Sequence, residues 1–294
     1  MKLVMTLLVR DEQDILKENI EFHLDRGVDE VILMDNLSSD ETADIAAEYV
    51  RLGVLHYIFQ PEDDYSQGRW VTRMARQACQ ELGANWVINN DADEFWWPLQ
   101  GSLKDVLSQV DRGTLAVSAE RTNFIPRPES AEPFWRRMNI RRKISFNLLG
   151  KPLPGKIAHR GLADVVVDQG NHGIRVNGLA AEFSISPISI LHFPIRSKKQ
   201  FFNKIKLGGA AYARNDHLDK DIGNIWRHLY TCYVDGTLDE VYQKEVLEAD
   251  AIEQGLAGGV LIRDERLSNA LAPLMSSARI DSPANTRAFG TRRG

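Results

Sequence analysis

Two carboxylates one residue apart, Asp91 and Asp93, close the apolar run Trp86-Val87-Ile88-Asn89-Asn90 and lead into Glu94, Phe95, Trp96 and Trp97. A pair so placed can turn both acids toward one divalent cation. Hard ions such as Mg²⁺ and Mn²⁺ take oxygen ligands and bridge carboxylates to phosphate. Asp-x-Asp is also a common loop pattern, so its surroundings must decide. Arg10 and Asp35 each follow another apolar run. The segments Arg10-Asp11-Glu12 and Asp35-Asn36-Leu37-Ser38-Ser39-Asp40-Glu41-Thr42 offer short polar groups that can hydrogen-bond a base or a ribose. Ser38 and Ser39 read first as helix caps, Asp35 as a ligand contact. Gln67, Gly68, Arg69 and Arg73 open a helix, where basic side chains and free amides suit an anion. The basic segment 196–206 offers phosphate neutralisation.

These groups need a frame. Residues 3–9, 31–34, 54–59 and 86–90 are apolar runs of strand length, as expected of strands buried on both faces of a parallel sheet. Between them Ile15, Leu16, Ile20 and Leu24 recur at helical spacing, after a capping Asp11 and before Gly27. A second helix ends near Arg51 and Gly53, and a third spans 67–82. Four strand–helix alternations predict a doubly wound α/β sheet, which binds ligands at the carboxyl ends of its strands. Arg10, Asp35 and Asp91 then share one edge. Neither a Gly-x-Gly-x-x-Gly nor a P-loop pattern is present, so a pyrophosphate here would need a metal or basic side chains.

Beyond Trp97 the pattern predicts a short helix within 101–110, a fifth strand at 115–119 and a proline-rich loop at 126–133. Strand pieces follow at 143–147, 164–168, 174–176 and 188–192, then a helix over 198–212 and two more within 222–256. From 276 the Ser, Pro, Arg and Gly content reads as a disordered tail.

A chain of 294 residues can bury one large core or one core with an appendage. Its net charge of -5 argues against a nucleic-acid partner. Cys79 and Cys232 form no disulfide or metal pattern and read as buried thiols in a reducing compartment. No run approaches the roughly 18 apolar residues of a membrane span, and the N-terminal run is too short for a signal segment. The expectation is a cytoplasmic protein, with peripheral contact at the inner membrane face left open.

Several ordered motifs resemble the family 2 glycosyltransferases, in particular the bacterial group related to family 92. They are Val9-Arg10-Asp11-Glu12, Glu21-Phe22-His23 with Gly27-Val28-Asp29, Asp35-Asn36-x-Ser38-x-Asp40-x-Thr42, and Asp91-Ala92-Asp93-Glu94-Phe95. Ile190-Leu191-His192-Phe193-Pro194-Ile195-Arg196-Ser197, with Gln200, Phe201 and Lys204, resembles that group's later block. The resemblance covers residues 1–210. It implies a GT-A fold over 1–212, Rossmann-like with a mostly parallel central sheet and flanking helices, then a C-terminal helical extension over 213–275.

The same resemblance implies metal-dependent, inverting transfer of a sugar from a nucleotide-diphosphate donor to a glycan or lipid-linked acceptor, in surface-polysaccharide synthesis. Mn²⁺ or Mg²⁺ would be held by Asp91, Asp93 and His192, with Asp91 also available to the ribose. Arg10, Glu12, Asp35, Asn36, Asp40, Arg69, Arg73, Arg196 and Lys204 would meet the donor, with Lys199 a further cation. Glu182 stands at the distance from the acidic pair where the family usually carries its base, and Asp164 and His172 are rivals. One of Trp96 and Trp97 is expected to face the acceptor. A nucleotidyltransferase also sets acids at the end of an α/β sheet, but its glycine-rich signature near the first strand is absent here. A non-catalytic nucleotide-sugar binding module would differ in releasing no nucleoside diphosphate.

Overall fold

The computed structural model describes residues 1–64, 66–215 and 222–276; the expected tail, apart from Ser276, lies outside the described residues. The first apolar run is β1 (Leu3–Val9), and its alternate residues enter two different cores. Leu3, Met5, Leu7 and Val9 pack on one side of the sheet and Val4 on the other, which is why the run shows no polar alternation. In chain order follow α1 (Leu16–Asp25), β2 (Glu30–Asp35), α2 (Thr42–Arg51), β3 (Leu55–Phe59), α3 (Gln67–Gln80), β4 (Trp86–Asp91) and β5 (Glu94–Pro98). Next come α4 (Leu103–Ser108), β6 (Ala116–Asn123), α5 (Phe134–Arg137), β7 (Ile140–Arg142) and β8 (Lys156–Arg160). A small sheet of β9 (Val166–Val167), β10 (Ile174–Val176) and β11 (Leu179–Ala180) precedes β12 (Phe183–His192). The chain continues with α6 (Lys198–Arg214), α7 (Asn224–Val234), α8 (Leu238–Glu245), α9 (Ala249–Ala257), β13 (Leu261–Arg263) and α10 (Arg266–Ser276).

The central sheet has the order β3-β2-β1-β4-β8-β6-β12-β5. Strands β3, β2, β1 and β4 are parallel, and β6 and β12 are parallel to each other. Antiparallel β8 lies between β4 and β6, so β6 and β12 run the same way as β4. The carboxyl ends of β1, β2, β4, β6 and β12 therefore share one edge. Val9 pairs with Asp35, Leu8 with Asp91, and Asn123 with His192. The two antiparallel strands bring their amino ends to the same edge: Lys156 begins β8, and Glu94 begins β5 opposite His192. The fold class is as expected, a mixed α/β GT-A fold with a mostly parallel sheet between helices.

Local differences have identifiable causes. Asp11 does not cap α1. It has φ of +53°, and the helix begins five residues later, at Leu16 after Ile15. Its carboxylate instead accepts from the Ser39 backbone N–H at 2.7 Å, while Ser38 Oγ accepts from the Asp11 N–H at 3.0 Å. Ser38 and Ser39 thus join the first two strand–helix turns to each other rather than capping α2. Residues 143–147 form no strand; β7 stops at Arg142 and pairs with β13. Neither β5 nor β8 was expected, and residues 222–256 hold all or part of three helices rather than two. Trp96 is fully buried and donates from Nε1 to Asn90 Oδ1 at 3.0 Å. Trp97 stacks on Phe22 and lies under Arg26 and Arg266, and neither tryptophan lines the cavity at the sheet edge. Both cysteines are free, and they are partly exposed rather than buried.

The C-terminal segment returns to the main core at its end. Leu267 and Leu271 of α10 belong to the same core as Leu3, Ile20 and Trp96. Helices α6, α7 and α8 form a smaller core around Phe201, Ile205, Leu229 and Tyr242.

Candidate active site

A cavity of about 730 Å³ opens at the shared sheet edge. Arg10, Asn36, Asp91, Asp93, Lys156, His172, His192 and Lys204 are among the residues that line it. Asp91 follows directly from the register of β4 with β1. Its Oδ2 accepts from Lys156 Nζ, and its Oδ1 accepts from Asn171 Nδ2 at 3.1 Å and Gln67 Nε2 at 3.3 Å. Lys156 is almost fully buried and also lies 3.5 Å from Glu94 Oε1, which Arg121 approaches from the other side at 3.2 Å. Burial pushes the Glu94 carboxyl up against the pull of Lys156.

Asp93 sits in the turn between β4 and β5. Its Oδ2 accepts from Lys204 Nζ of α6 at 2.5 Å and lies 3.6 Å from His192 Nε2. Burial would raise this carboxyl, but Lys204, His192 and Arg196 outweigh it and hold it well below the carboxylate range. Asn123 Oδ1 lies 2.7 Å from His192 Nδ1 and accepts its proton, which turns Nε2 toward Asp93. His172 is arranged alike: Nδ1 lies 2.8 Å from the Gly155 carbonyl, which accepts its proton. Burial, with Lys156 and Arg121 nearby, pushes this imidazole down to about 3, so it is neutral. A Cβ on Gly170 would fall 2.8 Å from His172 Nε2, and glycine at this position (φ +81°) keeps the ring's place open.

Among the described residues no three His, Cys, Asp or Glu side chains converge as an all-protein metal cage. Mg²⁺ and Mn²⁺ on a diphosphate require less, one or two protein ligands with phosphate oxygens supplying others. Asp93 and His192 fit that requirement, one oxygen and one nitrogen with the ring held by Asn123. The Asp91 oxygens are both engaged by Lys156, Asn171 and Gln67, so Asp91 suits a supporting position better than a ligand's.

A family model described as glycosyl transferase family 2 matches residues 7–168, which is 168 − 7 + 1 = 162 of the 294 residues. The chain belongs to glycosyl transferase family 2. No curated protein sequence matches it. Among solved structures, S. aureus TarS 1–349 in complex with UDP-GlcNAc is 13% identical, with 94% of this chain and 81% of that chain covered and a TM-score of 0.46. The same TarS fragment with UDP is 14% identical over 86% and 78%, with a TM-score of 0.45. Glucosyl-3-phosphoglycerate synthase from Mycobacterium tuberculosis, in complex with Mn²⁺, UDP and glucosyl-3-phosphoglycerate, is 15% identical over 54% and 56%, with a TM-score of 0.31.

Membership in the family makes the chain a glycosyltransferase and sets the nucleotidyltransferase and non-catalytic readings aside. The fold brings Arg10, Glu12, Asn36, Asp91, Asp93, His192 and Lys204 to one cavity. Other expected contacts stand elsewhere. Arg196 is 1% exposed and does not line the cavity; Asp14 and Glu12 accept from its guanidinium at 2.5 to 2.8 Å. Burial nevertheless drives the Glu12 carboxyl up to about 7 against the pull of Arg196 and Lys204. Asp35 accepts from the Ser38 N–H and the Tyr57 hydroxyl, and Asp40 from the Gln13 and Thr42 N–H groups, so both acids shape the turns. Arg69 and Arg73 line a separate shallow depression, where Glu62 pairs with Arg69. Asp164 and Lys199 are exposed and away from the cavity. Glu182 is exposed and precedes Phe183, which pairs with Ala116 at the start of β6; it lies at the opposite sheet edge from His192. The sequence reading missed Lys156, Arg121 and Asn123, whose placement depends on β8 and β6.

Proposed function

We propose that the chain transfers a sugar from a nucleoside-diphosphate donor to an acceptor hydroxyl in this cavity, in one inverting step. The observation that carries the reading is the convergence of Asp93, His192, Lys156 and Lys204 on the carboxyl edge of the sheet. Arg10 and Asn36 take the nucleoside end. Lys156 and Lys204 face the diphosphate, and the donor's charge draws Lys204 away from Asp93. A Mn²⁺ or Mg²⁺ ion held by Asp93 and His192 would supply Lewis-acid stabilisation of the leaving diphosphate. The acceptor oxygen forms its bond to the anomeric carbon as the bond to the β-phosphate oxygen breaks, and its proton passes to a base within hydrogen-bond reach. Glu182 lies at the opposite sheet edge, and the role falls to His172, whose ring lines the cavity with Nε2 unprotonated; the burial that keeps it neutral also makes it a weak base. The ordered motifs also favour a place near the bacterial group related to family 92, and a cytoplasmic setting suits the two free thiols.

Asp93→Ala tests the reading. Transfer in the presence of Mn²⁺ should fall by more than about 100-fold. The melting temperature should hold, since Lys204 is part-exposed and can turn to water. Full activity of this variant with each nucleotide sugar that the wild type uses would overturn the assignment.

A further inference from the structure

Beside its charged groups the same cavity is lined by apolar side chains, among them Phe146, Leu148, Leu153, Ile195, Phe201 and Trp226. The first three come from one hairpin, residues 143–153, which is preformed. Asn147 Oδ1 accepts from the N–H groups of Leu149 at 2.9 Å and Lys151 at 3.0 Å, its own N–H donates to the Lys151 carbonyl at 2.8 Å, and Gly150 turns the chain at φ +72°. The hairpin also exposes apolar side chains that do not line the cavity. Ile144 and Leu149 are 68% and 41% exposed. An apolar group of this size on a fixed turn marks a contact surface.

Charge decides what it contacts. From Glu132 to Asp164 the chain has no intervening acid and eight lysines and arginines, in a protein whose net charge is -5. Arg141 and Arg142 are held by Asp264 and Glu245, while Lys143 and Lys151 flank the hairpin and are exposed. Apolar side chains between outward lysines match an interfacial anchor, with the apolar groups at the acyl boundary and the cations at anionic headgroups. A second copy docked by a two-fold axis would set these lysines against themselves. The hairpin is also fastened to the site: Asn123, which orients His192, donates from its N–H to Ser145 Oγ at 2.8 Å and from Nδ2 to the Phe146 carbonyl at 3.3 Å. Among the described residues no helix is long and apolar enough to cross a membrane.

We propose that the 143–153 hairpin seats the enzyme on an anionic lipid surface, and that the apolar side chains of the cavity, three of them from this hairpin, receive the hydrocarbon portion of an acceptor drawn from that surface. The seat stands without the donor site; the acceptor's path rests on the transfer proposed above. The full chain is sedimented with phosphatidylcholine vesicles, with and without phosphatidylglycerol. Wild type should bind the anionic vesicles and lose binding as salt rises. Ile144→Ser with Leu149→Ser, neither residue lining the cavity, should weaken binding by about tenfold or more and leave melting and donor turnover unchanged. A wild type that stays in solution with both vesicle types, or a double variant that sediments like it, overturns the seat. Transfer to an octyl glycoside should show a lower KM than transfer to the corresponding methyl glycoside, and equal KM values overturn the acceptor path. Normal sedimentation with no donor turnover overturns the transfer reading and leaves the seat intact.

Discussion

Which lone pairs are already taken decides the role of each polar residue at the site. His192 has the right type and position, but its orientation comes from Asn123, whose Oδ1 fixes the Nδ1 proton. Partners of this kind typically contribute 10–100-fold to metal affinity. Asn123→Ala should therefore move the Mn²⁺ concentration for half-maximal transfer upward by roughly that factor. The donor KM at saturating Mn²⁺ should hold. An unchanged Mn²⁺ curve would remove His192 from the metal. Asp91, Asp93 and Lys204 were legible because charged side chains at the ends of apolar runs have few other places to go. Arg196 was read as a donor cation because a cation that neutralises phosphate and one that neutralises Glu12 and Asp14 internally look the same in sequence. Only burial separates them.

The element that shapes the acid-bearing turn is α1, which presents two buried polar residues one turn apart. Asn19 Nδ2 donates to the carbonyls of Ala92 at 2.9 Å and Glu94 at 2.8 Å, spanning Asp93 from below. His23 Nε2 accepts from the Trp96 N–H at 3.2 Å, and its Nδ1 lies 2.7 Å from the Asn19 carbonyl, to which it donates. The ring has no room for a second proton, and burial pushes it from 6.5 down to about 4. Above pH 6.5 the ring is neutral in both folded and unfolded chains. Between 6.5 and about 4 the unfolded chain takes a proton that the folded one refuses, so stability falls as the pH falls. From pH 7 to pH 4 the wild type should lose about 3 kcal/mol more unfolding free energy than His23→Leu. Urea titrations at the two pH values measure it, and parallel losses in the two proteins would show that His23 does not carry the effect. The latch escaped the sequence reading because β5 was not expected. One of Trp96 and Trp97 was therefore expected to face the acceptor, whereas Trp96 is buried and anchors a strand.

At the scale of the whole molecule, the matched family region ends at residue 168, yet the fold does not close there. Strand β13 pairs with β7, Asp264 holds Arg141 and Arg266, and Leu267 and Leu271 of α10 complete the core built on β1 and α1. The strand–helix alternation made the first four strands readable, since each needs only its neighbours. The return of the last segment to the first strand's core leaves no local signal, because an amphipathic helix does not specify which core it joins. Cutting the chain after Gly259 removes the buried Leu261, Leu267 and Leu271. At about 1.5–3 kcal/mol for each buried leucine, the loss is roughly 5–9 kcal/mol, comparable to the 5–15 kcal/mol that stabilises a typical domain. The shortened chain should therefore lack a cooperative thermal transition and near-ultraviolet circular dichroism while keeping part of its helical signal. A truncated protein that melts cooperatively within a few degrees of the full chain would instead make residues 260–276 an appendage, one of the two arrangements that the chain length leaves open.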